Sequence, residues 1–155
     1  LIATSSPPNP KVHSEIILGI QGWEEKRRWS SILGADLQDL APATVFDQIL
    51  AKALPSQVVF ENDKVLAFRD IAPQAPVHIL VIPKRRAGLT ALRKASREQK
   101  GVLGEMMVAV AEIVRQENIE GGYRVIVNDG EEAGQSVHHL HMHILAGRPL
   151  AWPPG

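Results

Sequence analysis

Gly134-Gln135-Ser136-Val137-His138-His139-Leu140-His141-Met142-His143-Ile144-Leu145 is the stretch on which the reading of this chain turns. Side chains along a β-strand alternate between its two faces. As a strand, the stretch sends His139, His141 and His143 to one face and His138, Leu140, Met142 and Ile144 to the other. Leu, Met and Ile suit a core, so the odd-numbered histidines are expected to face a cleft or solvent. Chance readily sets two histidines in this relation. Three in strict alternation behind a Gly-Gln-Ser turn form a stronger signal, and most of the chain's 6 histidines stand here.

That pattern suits chemistry at phosphorus. A neutral imidazole is a good nucleophile toward phosphorus and a tolerable leaving group afterwards. A second imidazole can exchange a proton near neutral pH, because its ordinary pKa is about 6.5. Crowded imidazoles also resist simultaneous protonation, so one can stay neutral. The alternatives are a zinc site and a coincidental polar strand. Residues in a strand rise about 3.3 Å each, so the first and third histidines lie roughly 6–7 Å apart at the backbone, and one metal would need converging side chains. Phosphorus chemistry therefore ranks above zinc, and zinc above coincidence.

Other residues join this face. Gly134 lets backbone amides approach an anion and Ser136 adds a hydroxyl, although Gly-Gln-Ser alone is usually a turn. Asp70 ends a strand, and its two oxygens can take both ribose hydroxyls; the plainer reading is a turn-capping aspartate. Asn128 is a turn former or a ligand contact. His78 is a satisfied core histidine, or a partner that orients another imidazole.

Composition bounds the rest. A chain of 155 residues makes one domain with an appended arm. Its 17 basic and 17 acidic residues cancel, which leaves no footprint for a nucleic-acid polymer. A small anion needs only a local site. The absence of cysteine excludes disulfides, thiolate catalysis and Cys-type zinc sites. No apolar run approaches the roughly 18 residues of a membrane span. The chain starts at Leu1, not Met, so a longer precursor is expected.

In order, residues 1–13 read as a proline-rich extended arm, and Trp23–Leu33 as a short helix or surface segment. The acids around that segment argue against a transit peptide, so a cytoplasmic setting is favoured and an organellar one kept in view. Thr44 caps a helix with Asp47 at the capping-box position, carrying Val45, Phe46, Ile49, Leu50 and Leu54, and Pro55 is expected to end it. Strands follow at 57–61 and 64–69, joined by Asn62-Asp63, then a stiff loop through Pro73 and Pro76. A strand at 77–82 is apolar throughout and so covered on both faces. Lys84-Arg85-Arg86 reads as a solvated basic turn. Ser96 and Gln99 open a long helix with Val102, Leu103, Met106, Met107, Val110, Ile113 and Val114 as its apolar stripe, ended by Asn118 and Gly121-Gly122. A strand at 123–127 precedes the histidine stretch. This order predicts an α+β fold, an antiparallel sheet with helices on one face.

Several motifs resemble the histidine triad (HIT) superfamily. His139-Leu140-His141-Met142-His143-Ile144-Leu145 is similar to its alternating histidine motif. Asp70 to Pro76, His78 to Lys84, Gly134-Gln135-Ser136 and the terminal Trp152-Pro153-Pro154-Gly155 resemble its Hint branch. The resemblance spans residues 44–155 and leaves 1–43 as an N-terminal extension. It implies a HIT-like α+β domain, a five-stranded antiparallel sheet with two main helices that continues across a homodimer. It further implies a purine nucleotide site, hydrolysis of purine nucleoside phosphoramidates through an adenylylated histidine, and no metal or other cofactor. His141 is then the nucleophile, oriented by His139 with His78, while His143 and Ser136 serve the phosphate and leaving group. Asp70 matches the ribose carboxylate. Val45, Phe46, Ile49, Phe68, Arg69 and Ile71 match the purine pocket; Asn128, Gly134 and Gln135 match further nucleotide contacts; Trp152 matches a tail reaching the partner's site. A nucleotide-binding scaffold and a dinucleoside polyphosphate hydrolase remain alternatives. The chain departs from the branch at His138 (usually Tyr), Arg69 (often His) and Ala146 (often Gly), which bears on packing, base preference and local backbone shape.

Overall fold

Thr44 opens the first helix, α1 (Val45–Leu50), in the computed structural model, which describes residues 41–155. The Thr44 hydroxyl accepts from the amides of Phe46 and Asp47 at 3.2 and 3.4 Å, and the Thr44 amide donates to the Asp47 carboxylate at 2.5 Å. This is the expected capping box, which occupies amides that a helix start leaves unpaired. The helix stops well before Pro55. Lys52 adopts a left-handed backbone (φ 57°), and Ala53 and Lys52 donate to the carbonyls of Gln48 and Ile49, both at 2.9 Å. Those two bonds close the last turn without proline. The arm and short helix read over residues 1–40 lie outside the described residues.

Five strands form one antiparallel sheet in the order β1-β2-β3-β5-β4. They are β1 (Val58–Glu61), β2 (Val65–Arg69), β3 (Val77–Pro83), β4 (Tyr123–Ile126) and β5 (Met142–Ala146). The long helix α2 (Lys100–Gln116) follows a single 3-10 turn, with the Ser96 amide donating to Gln99 Oε1 at 2.8 Å. Asn118, at φ 51°, ends it as expected, and Ile119 donates back to Val114 O at 3.1 Å.

The helices lie on opposite faces of the sheet, not on one. Met106, Ala109, Val110 and Ile113 of α2 share a buried cluster with Val65, Ala67, Ile79, Val81, Met142 and Ile144. Phe46 of α1 shares another with Leu66, Phe68, Leu80 and Ile82. β2 and β3 are apolar on both faces, so each face needs a cover.

β5 is also shorter than its motif. Residues 137–141 lie outside any strand, and the Leu140 amide donates to Leu89 O at 2.7 Å, a loop carbonyl. Strict alternation therefore begins only at Met142. His138, expected on the core face, is exposed. His139 and His141, expected to face the cleft or solvent, are 0% and 5% exposed. Ala146 is buried in ordinary strand backbone, paired with Val77 and Tyr123.

Met106 is wholly buried between α2 and the sheet. Met106→Ala is expected to lower the unfolding free energy by about 2–5 kcal/mol through lost apolar burial and the cavity left behind. Urea denaturation followed by circular dichroism checks this.

Candidate active site

β3 and β5 run antiparallel with Leu80 opposite His143 and His78 opposite Leu145. His78 and His143 therefore share a face one diagonal step apart. His78 Nε2 lies 2.9 Å from His143 Nδ1. The His141 ring stands next to His143, centroids 5.0 Å apart. Phe46 closes the group from α1, with its ring 5.2 Å from His141, 5.8 Å from His139 and 5.6 Å from Phe68. Helix α1, the central strand and the histidine segment thus converge on one site.

His141 Nδ1 lies 2.7 Å from the carbonyl oxygen of His139. A carbonyl can only accept, so the ring proton sits on Nδ1 and the lone pair on Nε2. Burial holds the His141 pKa below the ordinary imidazole value, against opposing pulls from that hydrogen bond and from Asp70. Burial does the same to His78, again opposed by Asp70. Burial, then the neighbouring His141 and His78, push His143 down to about 4. All three rings are neutral at neutral pH.

His139 behaves differently from the expectation. Its side chain is fully buried, with Nε2 donating to Pro83 O at 2.9 Å and Nδ1 3.7 Å from the Asp47 carboxylate. The His139 backbone carbonyl holds His141 Nδ1, and the His78 ring meets His143. Asp47 and Arg86 were not legible as part of this region. The Arg86 side chain is buried, donates to the carbonyls of Pro42 and Ala41 at 2.9 and 2.8 Å, and lies 3.5 Å from Asp47. The solvated basic turn expected there is corrected at Arg86. Only a basic residue beside an apolar run hinted at it, and such residues are ordinarily exposed.

A cavity of about 720 Å³ is lined among others by Val45, Ile49, Phe68, Arg69, Asp70 and Ile71, and Asp70 links its wall to His78. These are six of the seven residues matched to the purine pocket or ribose carboxylate; Phe46 stands between this wall and the imidazoles. Ile71 is wholly exposed, an apolar side chain with no cover among the described residues. The Arg69 guanidinium is held by Glu117, just beyond α2. Asp70 Oδ1 accepts from the Ala72 amide at 2.8 Å, and Oδ2 stands 3.4 Å from His78 Nε2. A cavity of similar size, about 770 Å³, lies beyond α2; neither wall contains a histidine, and only the first contains Asp70.

The loop before the histidines is built around Gln135. Its buried amide accepts from Gly130 N at 2.9 Å and donates to Thr90 O and Val137 O at 2.7 and 3.0 Å. The Gln135 side chain is a brace inside the loop and not a free ligand group. Gly134 takes the left-handed conformation (φ 85°), backed by Asn128 Nδ2, 3.7 Å from where a Cβ would stand. Ser136 is exposed and makes no side-chain hydrogen bond among the described residues. Trp152 is 83% exposed, and its tail is tied by Arg124 donating to Ala151 O at 2.7 Å.

Asp70, His78 and His143 offer donor atoms within 4.8 Å of one another. They fit a metal poorly. His78 Nδ1 accepts from the Gln74 amide at 3.1 Å, and His78 Nε2 and His143 Nδ1 are engaged with each other. A cation would have to break that hydrogen-bonded pair.

A sheet flanked by α1 and α2, with His78 and His143 on its two central strands and His139 and His141 just before the second, defines a histidine triad domain. The HIT domain family model matches residues 51–150. The chain is 52% identical over 112 residues to "Adenylylsulfatase HINT1" of Arabidopsis thaliana, covering 72% of this chain and 76% of that protein. It is 53% identical over 112 residues to a "14 kDa zinc-binding protein" of Zea mays, covering 72% and 88%. Among solved structures, a HIT family hydrolase from Legionella pneumophila superposes with a TM-score of 0.70 at 37% identity, covering 73% of this chain and all (100%) of that one. The histidine triad nucleotide-binding protein from Candida albicans gives 0.60 at 28%, covering 73% and 85%. The chain belongs to the HIT domain family, in its Hint branch.

The depressed histidines predict a sign for acid stability. Each binds its proton less well folded than unfolded, so their contribution is full above the unfolded value of 6.5 and is lost as pH falls, for His143 down to about 4. Unfolding free energy is expected to decline over that interval, less steeply in His143→Asn. Chemical denaturation across the pH series measures it.

Proposed function

We propose that this protein hydrolyses purine nucleoside phosphoramidates of the adenosine 5'-phosphoramidate type. His141 Nε2 forms a bond to the α-phosphorus, the P–N bond breaks, and the amine leaves with a proton. Water then attacks the phosphorus, freeing His141 and the nucleoside monophosphate. The observation that carries this reading is the 2.7 Å bond from His141 Nδ1 to His139 O, because it leaves the Nε2 lone pair available on a neutral ring. Ser136, the amides near Gly134 and His143 serve the phosphate and leaving group. Asp70 takes the ribose hydroxyls, and the apolar cavity beside it takes the base. The Arg69–Glu117 pair draws the guanidinium away from deciding base preference. The catalytic domain is residues 44–155, with 1–43 an extension.

The same intermediate serves a second substrate class. The Arabidopsis relative is named an adenylylsulfatase, and adenylyl sulfate carries a leaving group that needs no proton. Competing the two substrates ranks them. Wild type is expected to turn over adenosine 5'-phosphoramidate and to show an adenylylated His141 by mass spectrometry. His141→Ala is expected to lose about 10³-fold or more in kcat/KM. Equal turnover by both proteins would refute the assignment.

We also propose that the working unit is a homodimer joined through β4, whose outer edge pairs with no strand among the described residues. Tyr123 of that edge and Met107 and Val108 of α2 are 43%, 51% and 53% exposed. An uncovered strand edge and apolar side chains favour a partner. Trp152 would then reach the partner's site. Sedimentation is expected to give twice the 17.0 kDa chain mass; a monomer at micromolar concentration would overturn this.

A further inference from the structure

Gln74 lies in the turn between β2 and β3, and its backbone amide donates to His78 Nδ1 at 3.1 Å. An amide cannot accept, so His78 Nδ1 must present its lone pair. A neutral His78 then carries its only proton on Nε2. That nitrogen faces two acceptors, His143 Nδ1 at 2.9 Å and Asp70 Oδ2 at 3.4 Å. His143 Nδ1 is thereby an acceptor, and a neutral His143 must carry its proton on Nε2. His143 Nε2 is buried and has no hydrogen-bond partner among the described residues.

We propose that Gln74, through its main-chain N–H, is a positioning residue that sets the tautomers of His78 and His143, so that His143 presents an N–H donor to the substrate while His141 presents a lone pair. The two central imidazoles thus receive opposite polarity from two backbone groups: the Gln74 amide at one end and the His139 carbonyl at the other. Neutral rings are what make this assignment unique, since an imidazolium donates from both nitrogens.

The turn that holds the amide is braced at several points. Asp70 N donates to His78 O at 3.0 Å, and Ala72 N to Asp70 Oδ1 at 2.8 Å. The Gln74 side chain donates to Ala72 O at 2.9 Å, and Arg148 donates to Gln74 O at 3.1 Å. Gly147 lies against the same turn, since a Cβ there would come within 2.8 Å of Pro76. The role belongs to the backbone at position 74, so the side chain should be replaceable.

The inference rests on His141 and His143 facing a nucleotide's phosphate, but its first test does not require turnover. Nitrogen-15 NMR of the full chain labelled at histidine, at neutral pH, is expected to place the proton on Nε2 in His78 and His143 and on Nδ1 in His141. A proton on Nδ1 of His143 overturns the proposal whatever the enzyme's substrate proves to be. In kinetics with adenosine 5'-phosphoramidate, Gln74→Ala keeps the amide, loses only the side-chain brace to Ala72 O, and is expected to lower kcat far less than Gln74→Pro. Gln74→Pro removes it and is expected to lower kcat by about 10-fold or more with a smaller change in KM. A folded Gln74→Pro with wild-type kcat, or a Gln74→Ala as impaired as Gln74→Pro, overturns it. Should Gln74→Pro fail to fold, the wild-type spectra decide.

Discussion

Antiparallel pairing of β3 with β5 sets His143 beside Leu80 and brings the His78 ring into hydrogen-bond contact with it. The pairing is held by its central place in the sheet. Ile79, Val81, Met142 and Ile144 bury against α2, while Leu80 buries against Phe46 and Phe68. A one-residue slip would turn each imidazole into the α2 core and each aliphatic side chain into the cleft. The register is thus enforced by two apolar layers, and the polar face receives its geometry from them.

The histidine cluster then settles into a neutral state. Burial disfavours charge on His78, His141 and His143 alike, and at His143 the neighbouring His141 and His78 add to it. Neutral rings have directional chemistry, one donor and one acceptor each. The main chain assigns those directions, with a carbonyl at His141 and an amide at His78. On the far side of Phe46, a buried Arg86 engages Asp47 and the carbonyls before α1, and Asp47 in turn faces His139. Burying a guanidinium is tolerable when acceptors surround it. Asp47 and Arg86 thus gather at His139, while Asp70, beside His78, and Arg69 bring charge to an otherwise largely apolar cavity wall.

Much of this was legible from local rules. The capping boxes at Thr44 and Ser96, the two-faced burial of β3 and the helix stop at Asn118 follow from short-range stereochemistry, and the structure agrees with each. The stop at Lys52 was not legible, because a lysine in the left-handed region has no sequence mark. The division of the helices between two faces also escaped. An apolar run marks β3 as covered on both faces but does not say which element supplies each cover. Gln135 was matched to a nucleotide contact through the resemblance alone, which says nothing of where its amide points. In the fold, Gly130, Thr90 and Val137 engage that amide.

The amino-acid sequence alone determined the fold class, the family and the candidates for the site, because periodicity, capping and the histidine spacing are local and survive without coordinates. Only the tertiary structure decided what each histidine does with its two nitrogens. That depends on which backbone carbonyl or amide stands within about 3 Å of a ring. His139 and His141 lie two residues apart, yet one ring donates to the Pro83 carbonyl and the other stands beside His143 with its carbonyl-bound proton. Both precede the strand, which begins at Met142, and the contacts that hold this segment come from Leu89 and Pro83, some fifty residues earlier.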